Sequence, residues 1–149
     1  MMGLEEFRIY CSNNKDYRDA ESMFMRPQEL PKLICGNPYL VDVRNVVEAY
    51  KGVILGDKKN PVGVIDVVFF DNDMETYLVE CNSNRRGRKG ERAERLDRAH
   101  GWVLDRFDIS PLLLVVNSYN GKKLVVFRQT PPIDRILRAA MPRVSTRQN

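Results

Sequence analysis

Two carboxylates stand inside stretches of chain that otherwise read as buried sheet. Asp66 lies in the middle of Val62-Gly-Val-Ile-Asp-Val-Val-Phe-Phe70, which is β-branched and aromatic and apolar on both faces. That composition predicts a strand covered on both sides. Glu80 lies near the end of Thr76-Tyr-Leu-Val-Glu-Cys81, a second strand. The polar turn around Asp71-Asn72-Asp73 predicts a hairpin between them, and pairing Phe70 with Thr76 sets Asp66 directly opposite Glu80. Like charges facing each other destabilise a strand pair, and burying even a neutral polar group unpaired costs roughly 2–7 kcal/mol. A hard divalent cation such as Mg²⁺ or Mn²⁺ resolves both costs. It takes one or two protein carboxylates and leaves its other positions to water and substrate phosphate. Strand alternation places Asn82 on the face of Glu80 and Cys81 on the other.

The elements that must position this pair follow from periodicity. Leu40, Val43, Val46, Val47 and Tyr50 recur at helical spacing before Gly52, so residues 39–50 are expected to form a helix, with Glu48 just off its apolar stripe. A short strand over 51–55 and a turn over 57–61 should follow. Ala93, Leu96, His100, Val103 and Phe107 make a helical stripe within 89–107, a helix that covers the sheet. On that stripe His100 reads as a packed core residue, and Trp102 and Phe107 as core. Leu112–Val116 and Leu124–Phe127 read as strands joined through Asn120-Gly121. Short helices are expected at Asp16–Met25 and Ile133–Ala140. The fold class expected is α/β, a mixed central sheet with antiparallel hairpins flanked by helices. Residues 39–128 form its core, 1–38 an extension packed on it, and 129–149 a closing helix and basic tail.

Composition narrows the classes of function. With 149 residues, 43% apolar and 30% charged, the chain suits one globular domain. No run approaches the eighteen or so apolar residues of a membrane span, and no secretory pattern opens the chain. An intracellular, cytoplasmic protein with no membrane partner is therefore expected. Its three cysteines are scattered, with no C-x-x-C pair, so they encode neither a disulfide framework nor a zinc ribbon. The net charge of +4 is mild, but its distribution is not. Arg85, Arg86, Arg88, Lys89, Arg92, Arg95 and Arg98 crowd one segment against Glu91, Glu94 and Asp97. Such a surface suits nucleic-acid phosphates, although i,i+4 pairs such as Glu91–Arg95 also fit a solvated helix face.

The residues Ile65-Asp66 and Glu80-Cys81-Asn82 resemble the signature of the restriction-endonuclease-like PD-(D/E)XK nucleases. The order helix, three-stranded meander, helix and strand over 39–118 resembles their core. Archaeal Holliday-junction resolvases and very short patch or RecB-like nucleases are the kinds of member concerned. The resemblance implies a Mg²⁺- or Mn²⁺-dependent endonuclease acting on DNA, with Asp66 and Glu80 as metal ligands. It also implies Glu48 as an acidic residue on the first helix, and, by analogy with resolvases, a homodimer. The family lysine is Asn82 here, which hydrogen-bonds but carries no charge. The resemblance allows that cation to come instead from the following helix, where Arg88 and Lys89 stand, so Asn82 or Lys89 would orient the attacking water. Arg85, Arg86, Arg88, Lys89 and Arg92 would hold the phosphate backbone. The rivals are a nucleic-acid-binding or assembly module that kept the fold without turnover, and a protein-interaction domain that builds an oligomer.

Overall fold

The computed structural model describes residues 2–17, 29–57, 59–82, 89–119 and 123–131. Among them, helix α1 spans Met2–Asn13, α2 Glu29–Gly36 and α3 Lys89–Phe107, and a 3-10 turn covers Pro38–Val41. The strands are β1 Val46–Asp57, β2 Asn60–Asp71, β3 Thr76–Asn82, β4 Leu112–Tyr119 and β5 Lys123–Gln129. They form one sheet in the order β1-β2-β3-β4-β5. All neighbours are antiparallel except β3 and β4, which run parallel. A parallel pair needs a crossover, and α3 supplies it. The architecture is thus α/β, a mixed sheet with antiparallel hairpins flanked by helices.

Each face of the sheet has its own core. On one, α1 and α3 pack Leu4, Phe7, Leu96, Ala99 and Val103 against Val53, Ile65, Val68 and Leu78. On the other, Ile34 of α2 and Val41 and Val43 cover Val67, Phe69, Val79 and Val116. Burial on both faces explains why β2 is apolar on either side of Asp66. Phe7 meets Phe70 and Phe107 at ring-centroid distances of 5.7 and 5.0 Å, so α1, within the 1–38 extension, contributes side chains to this core.

The helix expected over 39–50 is not formed. Residues 38–41 make the 3-10 turn, and a strand begins at Val46. The local spacing misleads because β1 is irregular. Its pairing with β2 shifts register between Val46 and Glu48, which leaves Val47 55% exposed. Gly52 then takes a left-handed φ of +61° and marks no helix end. A bulge and a left-handed residue break strict alternation and leave apolar residues three or four apart. Gly52 also lets the chain before β1 approach. Asp16 N–H donates to Lys51 O and Tyr17 N–H to Gly52 O, both at 2.8 Å, and a Cβ on Gly52 would lie 2.5 Å from the Tyr17 carbonyl oxygen. Asp16 and Tyr17 therefore lie alongside β1 and are not helical. The remainder of the helix expected over 16–25, and that over 133–140, fall outside the described residues.

Candidate functional site

The turn between β2 and β3 sets the site's register. Asp71, nearly buried, accepts the N–H groups of Asp73 and Glu75 through Oδ1 at 2.9 Å each, and Tyr77 donates to its Oδ2 at 3.1 Å. A carboxylate that gathers turn amides in this way fixes the loop. Phe70 then pairs with Thr76 and the ladder continues to Val67 with Val79. The next positions along the two strands are Asp66 and Glu80.

There the strands part. Ile65 packs in the α1–α3 core and Val67 in the α2 core, although residues two apart in a strand normally share a face. Asp66 sits at this change of face, opposite the irregularity at Gly52. Its Oδ2 accepts the backbone N–H of Cys81 at 2.7 Å. The side chain of one strand thus replaces a ladder bond to the next, which leaves Asp66 in the fork between β2 and the last residues of β3.

Glu80 faces α3 and is 1% exposed. Arg95 of α3 places Nη1 3.6 Å from Glu80 Oε2. The arginine reaches it across β2 at Gly63, where a Cβ would lie 3.5 Å from Arg95 Cγ. A buried carboxylate is costly unless a cation or hydrogen bonds compensate it, and Arg95 is one such compensation. Both carboxylates also act on Cys81. Burial pushes its thiol well above the ordinary value, and Asp66 and Glu80 push it further. Cys81 therefore stays protonated, a backbone donor to the site rather than a nucleophile.

Glu48 is not part of this group. It lies on β1 opposite Phe70, four strand positions from the level of Asp66, or about 13 Å along the sheet. Arg8 of α1 donates to its Oε1 and Tyr50 to its Oε2 at 2.5 Å. The Arg8 bond holds the Glu48 carboxyl below its usual value against the opposing effect of burial. Burial, then Glu48, pushes the Tyr50 hydroxyl up to about 12. Glu48 thus joins α1 to the sheet. A carboxylate with a depressed folded pKa contributes stability above its unfolded pKa and loses it as pH falls through the folded value. Arg8→Ala should therefore cost about 0.5–1 kcal/mol at pH 7 in urea unfolding, the scale of a partly exposed ion pair. The difference from the parent should vanish below the folded pKa of Glu48. A deficit that persists in acid would show that Arg8 acts by packing alone.

Asn82 ends β3, paired with Asn117 of β4, and Lys89 opens α3. The side chains of Asn82, Lys89 and Arg92, and all of Arg85, Arg86 and Arg88, lie outside the described residues. His100 is buried, with Nε2 3.0 Å from Ser110 Oγ. The residue that sequence reasoning did not attach to the site is Arg95. It is one of several basic residues on a polar helix face, and its reach to Glu80 depends on the absence of a side chain at Gly63.

No family model and no curated protein matches this chain. Among solved structures, the crystal structure of a repair endonuclease from Pyrococcus abyssi is similar over 69% of this chain and 39% of that one, with 16% sequence identity and a TM-score of 0.39.

Proposed function

We propose that the protein is a divalent-metal-dependent nuclease that hydrolyses DNA phosphodiester bonds, with Asp66 and Glu80 as protein ligands of the ion. The observation that carries this reading is the fork between β2 and β3. It holds two carboxylates from adjacent strands, one of them 1% exposed, where the ladder gives way to a side-chain bond. The donor set fits Mg²⁺ or Mn²⁺, which are hard ions that accept one or two carboxylates. Among the described residues no group of three His, Cys, Asp or Glu side chains is placed to hold an ion, so water and substrate phosphate would complete the shell. When bound, the ion would activate a water and offset charge growing on the scissile phosphate.

The chain's own residues would do the rest. The Cys81 N–H orients the Asp66 carboxylate. Arg95, 3.6 Å from Glu80, supplies a positive charge that Asn82 does not, and its planar fork of donors suits a phosphate. Lys89 at the start of α3 and the basic residues before it would hold the backbone. The chain also has the order expected of a restriction-endonuclease-like core, namely helix, three-stranded meander, helix and strand, with α1 in place of the helix expected over 39–50.

One observation favours a second reading. Arg95 balances Glu80 without any metal, as it would in a nucleic-acid-binding module without turnover. Purified protein incubated with supercoiled, linear duplex and branched DNA over a titration of Mg²⁺ or Mn²⁺ separates the two. Products that need the cation and disappear with EDTA are expected. DNA binding in EDTA with no product in either cation would remove the enzyme reading and leave the module.

A further inference from the structure

A second feature of α3 lies along the line that begins at Arg95. Arg95, Ala99, Trp102 and Arg106 recur at i, i+4, i+7 and i+11, one edge of a helix. That edge runs beside the far end of the β1–β2 hairpin. Arg95 lies over Gly63, Gly63 pairs with Leu55, and the next residue of β1 is Gly56. Gly56 lines a cavity of about 320 Å³ together with Tyr10, Trp102 and Arg106. Within it the Arg106 guanidinium lies over the Trp102 ring, 5.5 Å from its centroid. Tyr10 is held by donating to Ile54 O at 2.7 Å, and its ring lies 5.3 Å from that of Trp102.

We infer that this cavity is a stacking site for a single nucleobase of an unpaired strand, which it seats a short distance from the Asp66–Glu80 fork. Four observations converge on that ligand. The volume is at the small end for a ligand site. The lining pairs two aromatic side chains with a cation, the combination that binds single-stranded nucleic acid through base faces rather than base edges. Trp102 is only half-buried, with Phe107 5.6 Å away on the core side, so the core holds the ring at a set angle while part of it stays open. The rise of α3 puts Trp102 about 10.5 Å beyond Arg95 and Arg106 about 6 Å further, the scale of one to two nucleotides. A strand whose phosphate lies at Arg95 would bring a neighbouring base to Trp102. The inference deepens the nuclease reading and rests on it for the polymer, because it assigns an unpaired segment beside the scissile phosphate as the form of substrate taken.

Trp102 is the chain's single tryptophan, so its fluorescence reports the site directly. The full chain is titrated in EDTA, so that no cleavage intervenes, with an eight-residue oligothymidylate and with an abasic oligonucleotide of equal length. Saturable quenching by the oligothymidylate and none by the abasic strand are expected. Arg106→Ala, a change at an exposed position, should weaken the oligothymidylate titration by 5-fold or more without altering abasic binding measured by anisotropy. Trp102→Leu, which has no tryptophan and is therefore read by anisotropy of labelled strands, should weaken oligothymidylate binding by roughly 5- to 150-fold, the range for loss of one stacked base. Equal quenching by both strands, or an Arg106→Ala titration that overlays the parent, would overturn the stacking site, whether or not Trp102→Leu folds. Because metal and turnover are absent here, base-dependent quenching in a protein that never cuts DNA would sink the nuclease reading and keep this one. Cation-dependent cleavage without base-dependent quenching would do the reverse.

Discussion

Asp66→Asn should abolish cation-dependent cleavage while leaving the protein nearly as stable as the parent, whereas Asp66→Ala should abolish cleavage and destabilise it as well. The two variants separate because one carboxylate has two tasks. Its charge would hold the cation, and neither substitution supplies it. Loss of the charge should lower the cleavage rate in saturating Mg²⁺ on the order of 10³-fold, comparable to the loss of a strong electrostatic contact to the transition state. Its Oδ2 also accepts the Cys81 N–H at 2.7 Å, in a fork where no ladder bond replaces it. The amide oxygen of asparagine can keep that bond, but alanine leaves a part-buried donor unpaired at about 1–3 kcal/mol. From the strands alone, removal of either carboxylate would be expected to relieve repulsion and preserve stability. The Cys81 bond reverses that expectation for Asp66→Ala. Cleavage rates and urea unfolding measured on the same preparations test both halves. Wild-type cleavage by either variant would sink the metal assignment, and equal stability of the two would show that the Cys81 bond does not hold the fork.

The parts of the fold legible in the sequence are those in which one local signal dominates. The run from Val62 to Phe70 could only be a covered strand, and Asp71 made its turn recognisable, so the pairing of Phe70 with Thr76 followed. The stripe from Ala93 to Phe107 placed α3 within residues 89–107 because its period of three and four is unbroken. β1 is not legible for a converse reason. Its register shift after Val46 and left-handed Gly52 disturb the period of two, and the disturbed strand imitates a helix. A helix there would bring Glu48 towards the site, whereas the strand carries it to Arg8. α1 leaves only a weak signal: Leu4, Phe7 and Cys11 are three and four residues apart and all are buried, yet the flanking polar residues dilute the stripe. Arg95 was not legible at all. Its contact with Glu80 depends on a strand passing beneath a helix at a glycine, a relation between residues 63, 80 and 95 that no local window contains.

That contact makes Arg95→Ala the most informative substitution for the metal itself. Glu80 is 1% exposed and its arginine partner 27% exposed. Removing one member of a buried pair costs on the order of 3–5 kcal/mol, because the remaining charge loses a counter-ion. Arg95 is partly solvated, so about 3 kcal/mol is expected, which in a chain of this size lowers the melting temperature by roughly 6–12 °C. A cation bound at Asp66 and Glu80 would supply the charge that the variant lacks. A cation that binds only the folded state stabilises it by an amount that grows with concentration over Kd, and Mg²⁺ should bind the variant more tightly because the Arg95 guanidinium no longer competes for Glu80. The gap in melting temperature between the parent and Arg95→Ala should therefore narrow as Mg²⁺ is raised, and Arg95→Lys, which keeps a charge without the planar fork, should fall between them. Ca²⁺ should narrow the gap in the same way, since the effect requires only binding and no hydrolysis. A gap that stays constant over the whole titration would mean that no cation reaches Glu80, and that carboxylate would drop out of the metal assignment.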